Sequence, residues 1–426
     1  MPPPSSDVDR RARAAWCFYD WANSSFPAVM LTFVFAAYFT RAVAVDPVTG
    51  TAQWGTAVSL SALAIAVVSP LLGAIADRGG ARKPWLGAFT ALCVGATFAL
   101  WWVAPDPAYV VYGLVLLGIA NFAFEMGIVF YNAMLPDIVS PQRLGRLSGW
   151  GWGLGYGGGL VCLVIVLVGF VQADPAPFGL DRDAAEHVRA AGPIAAIWFA
   201  LFAVPLFLFV PDRPRVVIAP LRAVREGFGQ LVDTFRRIGR YRDAARFLIG
   251  HMIYADGLNT LFAFGGVYAA GTFGMEVDEV IMFGIAMNLT AGLGAAGFAW
   301  VDDWIGAKRT ILIALAALTV LGSAIILVES KTAFWVLGLA LGVFFGPAQA
   351  AGRSFMARLA PENMRAEMFG LYALSGKATA FIGPALLGWV TLAANSQRAG
   401  MATVLIFFVI GAWILWPLKE PDVPAA

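Results

Sequence analysis

The sequence predicts an all-α membrane protein, with twelve transmembrane helices in two pseudo-symmetric six-helix bundles, on three observations. Hydrophobic residues make up 60% of the 426 and charged ones only 13%, a balance that no soluble globular class shows. Apolar runs of membrane-spanning length recur twelve times. Gly73 to Lys83 returns as Ala299 to Arg309, with Asp77 matching Asp303, Gly80 matching Gly306, and Arg82-Lys83 matching Lys308-Arg309. Each copy follows an apolar run, so the duplicated unit is a bundle of membrane helices.

In chain order, residues 1–13 are rich in Pro, Ser, Asp and Arg and are expected to form a disordered tail. Runs at 14–41, 54–76, 84–104, 108–135, 146–171 and 192–210 make the first bundle, 14–210. Runs at 247–273, 278–301, 310–329, 332–355, 367–393 and 399–417 make the second, 247–417, and 418–426 form a second tail. Most approach the roughly 20 residues that cross about 30 Å of hydrocarbon, and the longer ones can tilt. In the linker, 211–246, Leu221, Val224, Phe228, Leu231, Phe235 and Ile238 step by three and four, with Arg222, Arg225, Arg236, Arg237 and Arg240 on other faces. That pattern predicts an amphipathic helix lying along the membrane and tethering the bundles, a partner-binding helix being the alternative. The loop 172–191 is polar and carries His187 without ligand spacing.

Lys and Arg choose the sides. With both termini and the even-numbered connections on one face, 23 of the 29 fall there, 5 fall opposite, and Lys377 lies inside a run. The positive-inside rule makes that face cytoplasmic. A net charge of +2 argues against nucleic acid. Cys17, Cys93 and Cys162 all lie in apolar runs and read as small buried hydrophobes, and no metal set or cofactor motif exists. A cleavable signal peptide is not expected, because the run from Trp16 is too long for one. No catalytic constellation points to an enzyme, and a monomer in a bacterial inner membrane is expected.

A charge at the centre of a membrane helix costs a few kcal/mol, so ionisable residues inside the runs should face protein or a water-filled path. Asp20, Glu125, His251, Asp256, Lys377 and Arg353 are that set. Asp20-x-x-Asn23-Ser24 in the first run and Asp256-x-x-Asn259-Thr260 in the seventh each put three polar groups on one helix face. The two faces are expected to meet across a central cavity; the alternative is a structural hydrogen-bond cluster. Asn121, Glu125, Ile128 and Asn132 share a stripe, and desolvation of Glu125 would suit proton coupling. His251 reads as a satisfied structural histidine. Lys377 needs an acid or an anionic ligand. Asp256, Lys377, Asn259, Asn121, Gln349, Tyr156, Asp20 and Asn23 are therefore the substrate-binding candidates, with Glu125 and Asp256 the proton-coupling ones.

The repeated loop reads as a gate. Gly79-Gly80 should end the second helix as a left-handed cap. Asp77, Arg78, Arg82 and Lys83, with Arg143, Asp303, Lys308, Arg309 and Arg353, would pair when the cytoplasmic side is shut and separate when it opens. The glycine-rich fifth run, Gly149 to Gly159, allows close helix contact and is no nucleotide loop, since no Walker lysine follows.

Gly73-x-x-x-Asp77-Arg78-x-Gly80-x-Arg82-Lys83 resembles the signature loop of the major facilitator superfamily, with its degenerate echo at Asp303 to Arg309. Tyr19-Asp20-Trp21-Ala22-Asn23-Ser24, Asp256-Gly257-x-x-Thr260, Gln349-x-x-x-Arg353-Ser354, Arg358-Leu359-x-Pro361 and Gly376-Lys377 with Gly383-Pro384 resemble the vacuole-effluxer, or "unknown major facilitator", branch. The resemblance spans nearly the whole chain and implies the major facilitator fold and movement of an amino acid or small solute. Ala299 replaces the repeat's first glycine, and Tyr156 stands where antiporters of the superfamily carry a Gly-Pro step.

The expected function is secondary active transport by alternating access of a small polar, zwitterionic or amphipathic solute, amino-acid or peptide-like, by proton-coupled export. The alternatives are a lipid or cell-wall-precursor transporter of the same fold, or a non-transporting sensor or scaffold. The short tails argue against the sensor.

Overall fold

The computed structural model describes residues 6–216, 220–236 and 238–420, and every regular element among them is helical. They fall into two compact units. Unit 1 holds the described residues up to Val68, with Gly80–Met134 and Leu154–Val216; unit 2 holds Ser69–Gly79, Leu135–Gly153 and the described residues beyond Val216.

Helix α1 (Ser6–Asn23) begins well inside the stretch expected to be a tail. Arg10, Arg11, Ala12, Arg13, Ala14 and Ala15 are strong helix formers, and burial of Ala12 and Ala15 extends the first span backwards. Met1 to Ser5 lie outside the described residues. Nor is the first span a single α-helix. Pro27 removes an amide donor, and the chain widens to π-helical bonding over Phe26–Phe33, tightens at α2 (Phe35–Tyr38), and widens again over Phe39–Val43.

Helix α3 (Pro47–Gly79) ends as expected, with Gly80 left-handed at φ 75°. Then come α4 (Lys83–Ala99), α5 (Val110–Ile138), α6 (Leu144–Val166), the short α7 (Glu186–Arg189) and α8 (Ala191–Phe209). Within unit 1, α8 packs on both α1 and α4, and Trp16 and Tyr19 stack on Tyr131 with ring centroids 4.3 and 4.9 Å apart. The Tyr19 and Thr90 hydroxyls meet at 2.7 Å. The glycines of α6 do what small residues do in lipid, letting backbones touch. In unit 1 a Cβ on Gly158 would collide with the Trp21 carbonyl, and in unit 2 one on Gly149 would reach within 2.5 Å of the Ala295 carbonyl.

Unit 2 continues with α9 (Pro220–Arg236), inside the linker where an amphipathic helix is predicted. Of the predicted stripe, the side chains of Leu221, Phe235 and Ile238, and those of Arg237 and Arg240, lie outside the described residues. Next come α10 (Arg242–Phe273), α11 (Val277–Ile305), α12 (Ala307–Leu327), α13 (Lys331–Leu359), α14 (Arg365–Lys377), α15 (Ile382–Ala394) and α16 (Gln397–Leu415). The run expected as one helix over 367–393 is thus two half-helices with a break at Ala378–Phe381. Pro384 explains it, because its ring cannot accommodate the Ala380 carbonyl in a continuing helix and it offers no donor.

Eleven segments are long and apolar enough to cross a membrane, with α14 and α15 counted together in Glu362–Ala394. Helix α10 is the remaining one of spanning length, at 32 residues, and falls outside that set because it carries Arg242, Asp243, Arg246, His251, Asp256 and Asn259. Two of these polar groups, His251 and Asp256, are buried side chains of the site.

Candidate functional site: a broken span and its buried acid

Helix α10 packs against α14, α15 and α16 in unit 2, which brings Asp256 to the break. Asp256 is 2% exposed, and its Oδ2 accepts the Gly383 amide at 3.2 Å in the first turn of α15. That amide is one of the donors a helix N-terminus leaves unsatisfied, so the carboxylate meets both a hydrogen bond and the positive end of the helix dipole. Gly383 is required here, since a Cβ would collide with the Thr260 hydroxyl. Thr260 donates that hydroxyl back to the Asp256 carbonyl at 2.8 Å. Oδ1 of Asp256 is buried and has no hydrogen-bond partner among the described residues. On the other side of the break, Lys377 is the last residue of α14 and half-buried. Of the predicted Asp-x-x-Asn-Thr face, Asp256 and Thr260 are buried and Asn259 is exposed. Gln349 is half-buried on α13.

One turn earlier on α10, His251 is buried and stacks on Tyr372 with centroids 4.0 Å apart. Ser375 gives its one hydroxyl proton to the Tyr372 carbonyl at 2.8 Å, so His251 Nδ1 is the donor to Ser375 Oγ at 2.7 Å. The Tyr254 hydroxyl, buried without a hydrogen-bond partner among the described residues, points at Gly352, and an added Cβ there would lie 2.7 Å from it and 2.9 Å from the Tyr372 hydroxyl.

In unit 1, Asp20 and Asn23 are buried near the end of α1, and Nδ2 of Asn23 has no hydrogen-bond partner among the described residues. Asn121 donates to Ser61 Oγ at 2.7 Å. Glu125 and Tyr156 are half-buried on α5 and α6.

At the ends bearing the basic loops, carboxylates cap helix N-termini. In unit 2, Asp77 accepts the amides of Ala366 and Glu367 at 3.1 and 2.8 Å, in the first turn of α14. Its repeat partner Asp303 accepts the Arg146 amide at 3.1 Å, in the first turn of α6, and the Arg146 Nε lies 3.3 Å from its other oxygen. Asp212, in unit 1, takes the Arg82 and Lys83 amides at 2.9 and 3.0 Å, and Glu420, in unit 2, takes those of Ala307 and Lys308 at 2.8 and 3.4 Å. Among the predicted gate residues, Arg82 donates to the Ala133 carbonyl and Lys83 to the Phe207 carbonyl, both within unit 1. Arg353, 3% exposed, grips Ser148 through its Oγ at 2.9 Å and its carbonyl at 2.6 Å and lies over the Trp152 ring. Arg78, Arg143 and Arg309 are exposed and Lys308 is half-buried.

Sequence reasoning passed over a buried ion cluster. Arg358 Nη1 sits 2.7 Å from Asp302 and 3.0 Å from Glu420, Asp302 also receives the Ser354 hydroxyl, and Arg365 pairs with Asp137. The doublet Asp302-Asp303 was the available signal, since one carboxylate suffices for the motif.

A matching family model describes "Vacuole effluxer Atg22 like" and covers residues 48–145 and 142–421. The chain is 27% identical over 404 residues to the Uncharacterized MFS-type transporter YxiO of Bacillus subtilis (strain 168), covering 94% of this chain and 93% of that one. It is 22% identical over 407 residues to Autophagy-related protein 22 of Coccidioides immitis (strain RS), covering 78% of this chain and 66% of that one. Among solved structures it is similar to the proton:xylose symporter XylE, with a TM-score of 0.76 at 13% identity over 98% of this chain and 97% of that one. A bacterial homologue of the iron transporter ferroportin matches with a TM-score of 0.70 at 11% identity, over 96% and 98%. Repeated motif, helical architecture and matched length agree: this is an integral membrane transporter, not an enzyme, and the chain belongs to the vacuole effluxer Atg22-like family of the major facilitator superfamily.

Proposed function

We propose that this transporter exports a small zwitterionic or amphipathic solute, amino-acid or peptide-like, by proton-coupled alternating access. In this reading it works as a monomer in a bacterial plasma membrane, with both termini in the cytoplasm. The observation that carries the substrate class is the unpartnered, buried Oδ1 of Asp256 beside the break in the eleventh span, with Lys377 at the other end of that break. Discontinuous membrane helices place helix ends and unwound backbone at substrate sites. A buried carboxylate oxygen lacking a donor favours a ligand that brings one, such as an ammonium group, and a lysine within a span favours an anion. A zwitterion supplies both. Asn259 and Gln349 would flank it, and Asp20, Asn23, Asn121 and Tyr156 are the further proposed substrate-binding residues. Glu125, half-buried in a span, is the proposed proton carrier, with Asp256 coupled to the same cycle.

The test is uptake of amino acids and dipeptides into proteoliposomes with and without a pH gradient, after a thermal-shift screen has named a ligand. Asp256→Asn keeps an acceptor for Gly383 and should fold while losing at least tenfold in uptake. Lys377→Gln should weaken a zwitterion more than its decarboxylated amine. Glu125→Gln should abolish the response to the gradient, and unchanged gradient-driven transport in that variant would remove proton coupling by Glu125.

A further inference from the structure

Helix α9 is put together the opposite way from a helix on a soluble protein. Gly227 is buried where an added Cβ would come within 2.9 Å of the Ile75 backbone on α3, and Gln230 and Thr234 follow at helical spacing. Gln230 donates to the Glu367 carboxylate at the start of α14, so the face turned to the rest of unit 2 is small and polar. Val224 and Phe228 point away from it, at 46% and 58% exposed. At about 100° per residue, Leu231, Val224, Phe228 and Val232 form one arc beginning beside Gly227, and Arg225, Arg236 and Arg222 continue it on the far side.

A water-facing helix would gain nothing from this order, since it exposes the residues that burial would stabilise. An apolar arc edged by arginines fits the boundary between acyl chains and headgroups. The charge has a sign. From 211 to 246 the sequence carries nine arginines against Asp212, Glu226, Asp233 and Asp243, and Asp212 is occupied in capping α4. Arg222 bonds Glu226 at 2.6 Å and holds that carboxyl below its ordinary range, leaving Arg225 and Arg236, both exposed, as the outward cations of the helix.

We propose that α9 is a docking site for anionic phospholipid headgroups of the membrane leaflet on the basic-loop side, with Val224 and Phe228 entering the acyl boundary and Arg225 and Arg236 meeting the phosphates. Through Gln230 and Glu367 the docked helix steadies the start of α14, the turn that Asp77 also holds. Lipid composition is thereby linked to the half-helix that leads to the break.

The test uses the full chain in nanodiscs of phosphatidylcholine with increasing phosphatidylglycerol. An environment-sensitive fluorophore replaces the side chain at Phe228→Cys, the native cysteines being buried. Emission should shift to the blue as phosphatidylglycerol rises, and the response should fade in high salt. Arg225→Gln and Arg236→Gln lie on exposed positions and should fold; each should weaken the lipid response about fivefold, the equivalent of about 1 kcal/mol per arginine near an anionic surface. Emission that ignores lipid charge, or a double variant that responds like the unsubstituted chain, overturns the proposal. A shift that follows protein concentration in place of lipid composition overturns it too, by assigning the face to a second copy.

Discussion

Arg358, left out of the gate as read from the sequence, is the shared cation of a buried ion cluster. Its side chain is 4% exposed and is shared by Asp302, Glu420 and, at 3.9 Å, Asp303. Removing one member of a buried ionic cluster leaves the others charged and unpaired, which costs about 3–5 kcal/mol. Arg358→Ala should therefore lower unfolding stability by about that amount, measured as chemical or thermal denaturation in lipid, and adding Asp302→Asn should recover part of it. The exposed Arg222–Glu226 pair is the control, because water screens a surface i,i+4 pair and leaves it little to contribute. A loss at Arg358 no larger than at Arg222 would mean that water reaches the cluster. Charge within spans was legible in the sequence, and Asp256 and Lys377 emerged from it. Arg358 and Asp302 were not, because they sit at span ends, where topogenic charge is expected and burial cannot be told from exposure.

The break between α14 and α15 shows how far an element can be read in advance. Gly383-Pro384 stood out as a motif, yet the apolar run over it is continuous, and hydropathy does not register a missing donor. The structure resolves that conflict in favour of the proline. Pro384→Ala should heal the break. A helix interior favours Ala over Pro by about 3 kcal/mol, so amide hydrogen exchange from Ala378 to Leu386 should slow by roughly a hundredfold while transport falls. Unchanged exchange would show that the Asp256–Gly383 bond is sufficient to hold the break open. The opposite kind of element is α6, whose glycines are fully readable as contact points. Gly158→Val would push a branched side chain into the Trp21 carbonyl and should cost about 1–3 kcal/mol of stability, read in the same denaturation assay.

At the scale of the whole chain the duplication governs which capping acids come in pairs. Asp77 and Asp303, matched in the repeat, cap α14 and α6, the eleventh and fifth spans and therefore repeat equivalents themselves. Asp212 and Glu420, each following the last span of its half, cap α4 and α12, which are again equivalent. The first pair was visible as a motif. The second was not, since a carboxylate beyond a span end has no periodicity to mark it and the loop lengths around it differ. The two pairs should behave differently when cut. Asp212 and Glu420 anchor a helix to the segment following its own bundle, so Asp212→Ala should reduce stability alone. Asp77 and Asp303 join helix starts to segments far away in sequence, and in the proposed cycle these are the bonds that must break for the basic-loop side to open. Losing such a cap costs about 1–2 kcal/mol, and the two share no described partner, so their effects should add. Spin labels at Arg143→Cys and Arg309→Cys, both exposed positions, read the outcome. Asp77→Ala and Asp303→Ala should each raise the ratio of long to short distances about five- to thirtyfold, and the double variant by the product, within the range that pulsed resonance can resolve. If the double variant keeps the parent's distance distribution while Asp212→Ala changes it, the gate lies with the other pair of acids and the repeated motif is only structural.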